Sequence, residues 1–187
     1  MADLTALPEG LPEPVDDGAC DHLLGLELPS FRLRSTAGLT YDLGDVDSPW
    51  LVVYVYPRTG GPDVDLPPDW DLIPGARGCT PQGCAFRDHH AELEELDATV
   101  WGLSSQPITE QREFAARMHI PFPLLNDAGL SLSAPPMSLP TFEAGGLRLY
   151  KRVTLIAAHG VIEKVMYPVF PPDQNASDVI EYLRKAS

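Results

Sequence analysis

The chain has 187 residues, 44% of them hydrophobic and 21% charged, a balance that supports one globular domain with a sizeable core. Its formal net charge of -14 repels phosphate backbones and anionic bilayers, so nucleic acid and membrane surfaces are poor partners. The longest apolar run, Trp50 to Tyr56, falls far short of the roughly 18 residues a membrane span requires, and the N-terminus, with the acidic Asp3 and Glu9, lacks the form of a secretory signal, which makes the cytoplasm the expected compartment.

In chain order, residues 1–20 carry Pro8, Pro12, Pro14 and several acids and read as a flexible lead-in, leaving 21–187 as a single domain. Leu26 to Leu33 and Leu39 to Leu43, around the Thr36-Ala37-Gly38 turn, predict a short hairpin. Trp50 to Tyr56 is a β-branched and aromatic run, as expected of a strand buried on both faces. Residues 57–78 hold Pro57, Pro62, Pro67, Pro68 and Pro74 and predict a long loop without regular structure. A helix follows from about Pro81 to Leu96, with Phe86, His90, Leu93 and Leu96 spaced to share a face. Val100 to Ser104 is a second buried strand, and a helix from Thr109 ends before Pro121. Leu147 to Ala157 reads as a strand that Gly160 turns into another, Val161 to Met166, and Asn175 or Ser177 can cap a last helix over Val179 to Lys185. The order β, α, β, α, β, β, α is that of a thioredoxin-like α/β fold, a mixed central sheet between helices in three layers, α/β/α.

Cys79 stands where the glycine-rich loop runs into the helix, with Thr80 a fitting N-cap and Pro81 a good first helical residue. The partial positive charge of a helix start favours thiolate, the nucleophilic form. Cys84 lies five residues on, which in a continuous helix means a rise of about 7.5 Å and divergent faces. A disulfide spans Cα atoms only up to about 7 Å apart. The bond therefore requires the turn to unwind, and Gly83 lowers local helix stability by about 1 kcal/mol relative to alanine. Two other readings stand beside redox work: a pair of unrelated buried thiols, or a metal site using Cys79, Cys84, His89 and His90. Against a metal, the cysteines begin a helix four intervening residues apart, and adjacent histidines point in different directions. His90 then reads as a core residue and His89 as a solvated one.

Six patterns in order resemble the peroxiredoxins, specifically the bacterioferritin-comigratory or peroxiredoxin Q group. They are Leu28-Pro-Ser-Phe, Val55-Tyr-Pro57, Gly78-Cys-Thr-Pro-Gln-Gly-Cys-Ala-Phe-Arg-Asp88, Trp101-Gly-Leu-Ser-Ser105, Phe122-Pro-Leu-Leu-Asn-Asp127 and Lys151-Arg-Val-Thr-Leu-Ile156. The resemblance, over roughly residues 24–184, implies a thiol peroxidase in which Cys79 is peroxidatic and Cys84 resolving. It implies that Arg152 stabilises the thiolate and the peroxide, with Arg77 a second candidate cation. It further implies reduction by thioredoxin or a similar dithiol, a monomer or weak dimer, and no metal, flavin or haem. The family's threonine or serine three residues before the nucleophile is here Ala76, and its proline seven before is Leu72. Residues 60–75 therefore look like an insertion, with Pro57 walling the pocket and Thr59 supplying the hydroxyl. Rival readings on the same fold are a protein disulfide oxidoreductase, which would favour cysteines with two residues between them where this chain has four, and a redox sensor. Cys20, in the lead-in, reads as incidental.

Overall fold

The computed structural model describes residues 5–186; residues 1–4, including Asp3 and the first part of the lead-in, and residue 187 lie outside it. Among the described residues there are nine strands and four α-helices, beginning with the hairpin β1 (Arg32–Ser35) and β2 (Thr40–Asp42). The core unit runs β3 (Trp50–Val55), α1 (Cys79–Asp88), α2 (His90–Glu95), β4 (Ala98–Ser104), α3 (Ile108–Arg117) and β5 (Leu124–Asn126). It is completed by β6 (Thr141–Ala144), β7 (Leu147–Tyr150), β8 (Val153–Ala158), β9 (Val161–Met166) and α4 (Asn175–Ala186). The main sheet has the order β2-β1-β5-β4-β3-β8-β9, with β3, β4 and β5 parallel and β8 antiparallel to β3. This is the mixed sheet of a thioredoxin-like fold, with β3 buried in its interior between β4 and β8, as the apolar run from Trp50 predicts.

Alternation along the central strands divides the core in two. Val52, Tyr54, Val100 and Ile156 pack against Phe86 of α1, Leu93 of α2, Phe114 of α3 and Val179 of α4. Leu51, Val53, Val55 and Leu155 face the other way, onto Leu23, Leu132, Met137 and Tyr150. The layers are therefore unequal: α-helices cover one face, while 3₁₀ turns at Asp21–Leu23 and Ser131–Ser133 and loops cover the second. Pro135, Pro136 and Pro140 prevent a regular helix after Ser133, because proline lacks the N–H that would propagate one.

Several boundaries depart from the sequence expectation. The helix expected over 81–96 is broken at His89 into α1 and α2. The strand expected over 147–157 is two strands in different sheets, β7 pairing with β6 and β8 with β3, and the chain turns between them at Lys151 and Arg152. The β6–β7 hairpin was legible in the Gly145-Gly146 pair, both at positive φ, a frequent two-residue hairpin turn.

The lead-in packs onto the domain over its later residues. Cys20 is 3% exposed, and Asp17 accepts hydrogen bonds from Lys151 Nζ at 2.6 Å and Tyr167 Oη at 2.7 Å. Those two donors hold the Asp17 carboxylate down to about 2. A carboxyl depressed by folding stabilises the folded state above its ordinary range and loses that contribution as pH falls through its folded value. The melting difference between the wild type and Asp17→Asn is thus expected to be present at neutral pH, to shrink below about pH 4 and to vanish near pH 2; a difference independent of pH would show that the pair contributes nothing. Among the described residues no helix is long and apolar enough to cross a membrane.

Candidate active site

The site forms where the loop after β3 and the turn before β8 meet the start of α1. Gly78 precedes the helix at φ +105, a conformation that side chains rarely adopt, and a Cβ there would lie 2.3 Å from Pro172 Cγ. The chain therefore enters α1 at Cys79 itself, two residues earlier than an N-cap at Thr80 would place it. The Cys79 side chain is 3% exposed.

Three groups surround its sulfur. Arg152 Nη2 donates to Sγ at 3.2 Å and the Arg58 backbone N–H donates at 3.4 Å, while the Ala76 carbonyl lies 3.6 Å away as an acceptor for the thiol. Arg152, also 3% exposed, is held by the carbonyls of Gly75, Ala76 and Arg77 at 3.3, 3.0 and 3.2 Å, and by Gln82 Oε1. Its Nε is buried without a hydrogen-bond partner. Gln82 in turn donates through Nε2 to Asn175 Oδ1 at 2.9 Å, and the same oxygen accepts from Thr154 Oγ1 at 2.7 Å. A buried polar chain thus runs from α4 through α1 to the nucleophile.

The loop after β3 is fixed from β4 and α3. Ser104 Oγ donates to the Pro57 carbonyl at 3.0 Å, and Gln106 Oε1 accepts both the Thr59 N–H and its hydroxyl, at 2.9 and 3.0 Å. Gln106 Nε2 reaches back to the Thr59 carbonyl at 3.0 Å and to Glu110, which pairs with the Arg58 side chain at 2.9 Å. Pro57 and Thr59 are both buried beside the site, and the Thr59 hydroxyl proton is directed to Gln106. Ala76 meets the sulfur through its backbone carbonyl.

Residues 60–75 contribute directly to the site. Leu66 and Trp70 join Arg58, Arg77, Thr80 and Pro81 in lining the narrow cavity over Cys79. Arg77 is paired with Asp71, from the same segment, at 3.2 Å. Arg152 additionally borders an apolar cavity of about 260 Å³ lined by Val15, Ile73, Phe142 and Val169, whose walls do not include Cys79.

Cys84 is half-buried and reduced, and α1 is continuous between it and Cys79. Burial pushes its thiol up, with Arg87 partly opposing that shift. A Cβ on Gly83 would lie 2.9 Å from Phe114 Cζ, so this glycine serves the close approach of α1 to α3 as well as weakening the helix. Burial and the nearby Asp17 and Asp16 push the Cys20 thiol up to about 12, which keeps it protonated and unreactive near neutrality. His89 and His90 turn to Glu92 and Glu94, and among the described residues no three metal-ligating side chains converge.

Sequence reasoning missed Arg58, Gln82, Gln106 and the hydrogen bond that Asn175 accepts from Gln82. Gln82 had a usable signal: it lies three residues after Cys79, hence on the same helix face. Arg58 acts through its backbone, which no side-chain pattern reveals.

The Redoxin family model matches residues 24–183. The chain is 27% identical to chloroplastic peroxiredoxin Q of Populus jackii over 156 residues, 83% of this chain, and 32% identical to peroxiredoxin Bcp of Bacillus subtilis over 104 residues, 56% of this chain and 57% of that one. It spans just under two thirds, 65%, of the length of the poplar relative. Peroxidoxin BcpB from Mycobacterium tuberculosis superimposes with a TM-score of 0.70 at 24% identity, over 88% of this chain and 97% of that one. With residues 24–183 matched and this fold around Cys79, the chain belongs to the Redoxin family.

Proposed function

We propose that the protein reduces hydrogen peroxide or organic hydroperoxides, with Cys79 as the peroxidatic and Cys84 as the resolving residue. The observation that carries this reading is the convergence of the Arg152 guanidinium and the Arg58 N–H on the Cys79 sulfur. Two donors on one sulfur stabilise an anion, and the same donors can follow negative charge onto peroxide oxygens as the O–O bond breaks. The Cys79 thiolate attacks the terminal oxygen, an alcohol or water leaves, and Cys79 becomes a sulfenic acid. Cys84 then displaces the hydroxyl to form a disulfide, which thioredoxin or a similar dithiol reduces by exchange. Residues 21–187 act as one catalytic domain in the cytoplasm, as a monomer or weak dimer, with Pro57 as a pocket wall.

Thr59 serves as an acceptor in this scheme. Its hydroxyl proton is occupied by Gln106, which leaves its lone pairs for the O–H of the incoming peroxide. Thr59→Val is expected to slow peroxide attack by about tenfold, the effect of one neutral hydrogen bond made in the transition state. An unchanged second-order rate constant would remove Thr59 from the mechanism.

Peroxide consumption in the presence of a thioredoxin system and NADPH tests the function as a whole. Many turnovers per protein molecule support a peroxidase. A stoichiometry near one leaves the sensor reading, and disulfide transfer to protein substrates without peroxide consumption leaves the oxidoreductase.

A further inference from the structure

We propose that Asn175, the first residue of α4, is a positioning residue that holds the first turn of α1 closed and so sets how quickly Cys84 reaches oxidised Cys79. The proposal rests on the peroxidase reading above and adds a control point to it.

The turn that must open is the one Gln82 fastens. In backbone terms it is held by ordinary helical bonds such as Gln82 N–H to Gly78 carbonyl at 3.0 Å, which water can replace once the turn unwinds. The Gln82 side chain is different. It is fully buried and cross-links the turn to α4 through Asn175 Oδ1 and to the start of β8 through Arg152. Asn175 is itself 1% exposed and fixed by Thr154 Oγ1 from β8, so it cannot follow Gln82 outward. Opening therefore strips Gln82 of a fixed buried partner, whereas Asn175 keeps Thr154. The adjoining 3₁₀ turn at Pro172–Gln174 packs on Gly78 from the same side, which makes this end of α4 the element the α1 start leans on.

Closing the disulfide breaks the S–O bond of the Cys79 sulfenic acid and forms the S–S bond. The hydroxide that departs takes the Cys84 thiol proton and leaves as water. A second peroxide competes for the same sulfenic acid, converting it to sulfinic acid. The strength of the Gln82–Asn175 contact decides between the two fates: a firm latch prolongs the sulfenic acid, and a weak one hastens the disulfide.

The test uses the full chain, reduced, mixed rapidly with hydrogen peroxide, with attack and closure resolved by quenching and mass spectrometry. In Asn175→Ala, closure is expected to be about five- to tenfold faster than in the wild type, with attack by Cys79 timed in the same mixing as the reference step. The sulfinic fraction formed under excess peroxide should fall by a similar factor. Asn175→Asp, which keeps an acceptor for Gln82, should restore slow closure, an outcome that general loosening of α4 would not give. Thr154→Val, which frees Asn175 without touching Gln82, should speed closure by about two- to threefold and remains informative if Asn175→Ala does not fold. Closure at the wild-type rate in the folded variants overturns the latch alone. Absence of any peroxide-driven oxidation of the wild type overturns the peroxidase reading as well.

Discussion

Replacing Arg152 by methionine is expected to slow peroxide attack by about 10²- to 10³-fold, the effect of removing one charge-stabilising donor from a transition state. The side chain is buried and its Nη2 lies 3.2 Å from the sulfur, the only cationic donor found in contact with it among the described residues. As the thiolate attacks, negative charge moves from sulfur to the departing oxygen, and the planar guanidinium can hold both through adjacent N–H groups. Methionine preserves length and apolar volume but removes every donor. The same substitution leaves the carbonyls of Gly75, Ala76 and Arg77 without this partner, so some stability is lost as well. A melting curve separates that effect from chemistry, and Arg152→Lys, which keeps the charge but not the fork, should fall between the two. A second-order rate constant for sulfenic acid formation within tenfold of the wild type in folded Arg152→Met would remove Arg152 from its assigned role.

Cys84→Ser should reduce multiple-turnover peroxide consumption to about one equivalent per protein with a thioredoxin system, because no disulfide forms for the reductant to exchange with. The first step should survive intact: Cys84 is not among the groups that touch the Cys79 sulfur. The sulfenic acid on Cys79 should then accumulate and be captured by a dimedone-type trap. Loss of the first step itself would mean that the two cysteines had been assigned the wrong way round. Continued turnover at the wild-type rate would mean that an external thiol resolves Cys79 directly, and that Cys84 is a packing residue.

How far the sequence reached depended on the kind of signal. Central strands and amphipathic helices announce themselves by periodicity, so β3, β4, α3 and β9 fall near their expected places. Short elements do not: β5 has three residues and its apolar pair gives no period to read. The break at Arg152 was hidden because Leu147 to Ala157 is continuously strand-like, and only the pairing of β7 with β6 reveals the turn. Cys79 and Cys84 were legible from their spacing and helix-start chemistry, and Arg152 from family resemblance. Gln106, Asn175 and the Arg58 N–H were not, because each is brought to the site by contacts spanning 21 to 93 residues.

The crowding at Gly78 sets a boundary for anyone retuning this protein. Its positive φ and the neighbouring Pro172 ring leave no room for a side chain, so a library randomised across the whole segment before Cys79 would waste that position on misfolded members. Leu66 and Trp70 reach the same cavity from the loop that precedes the helix. Diversity placed there can reshape what enters the cleft while the nucleophile stays aligned.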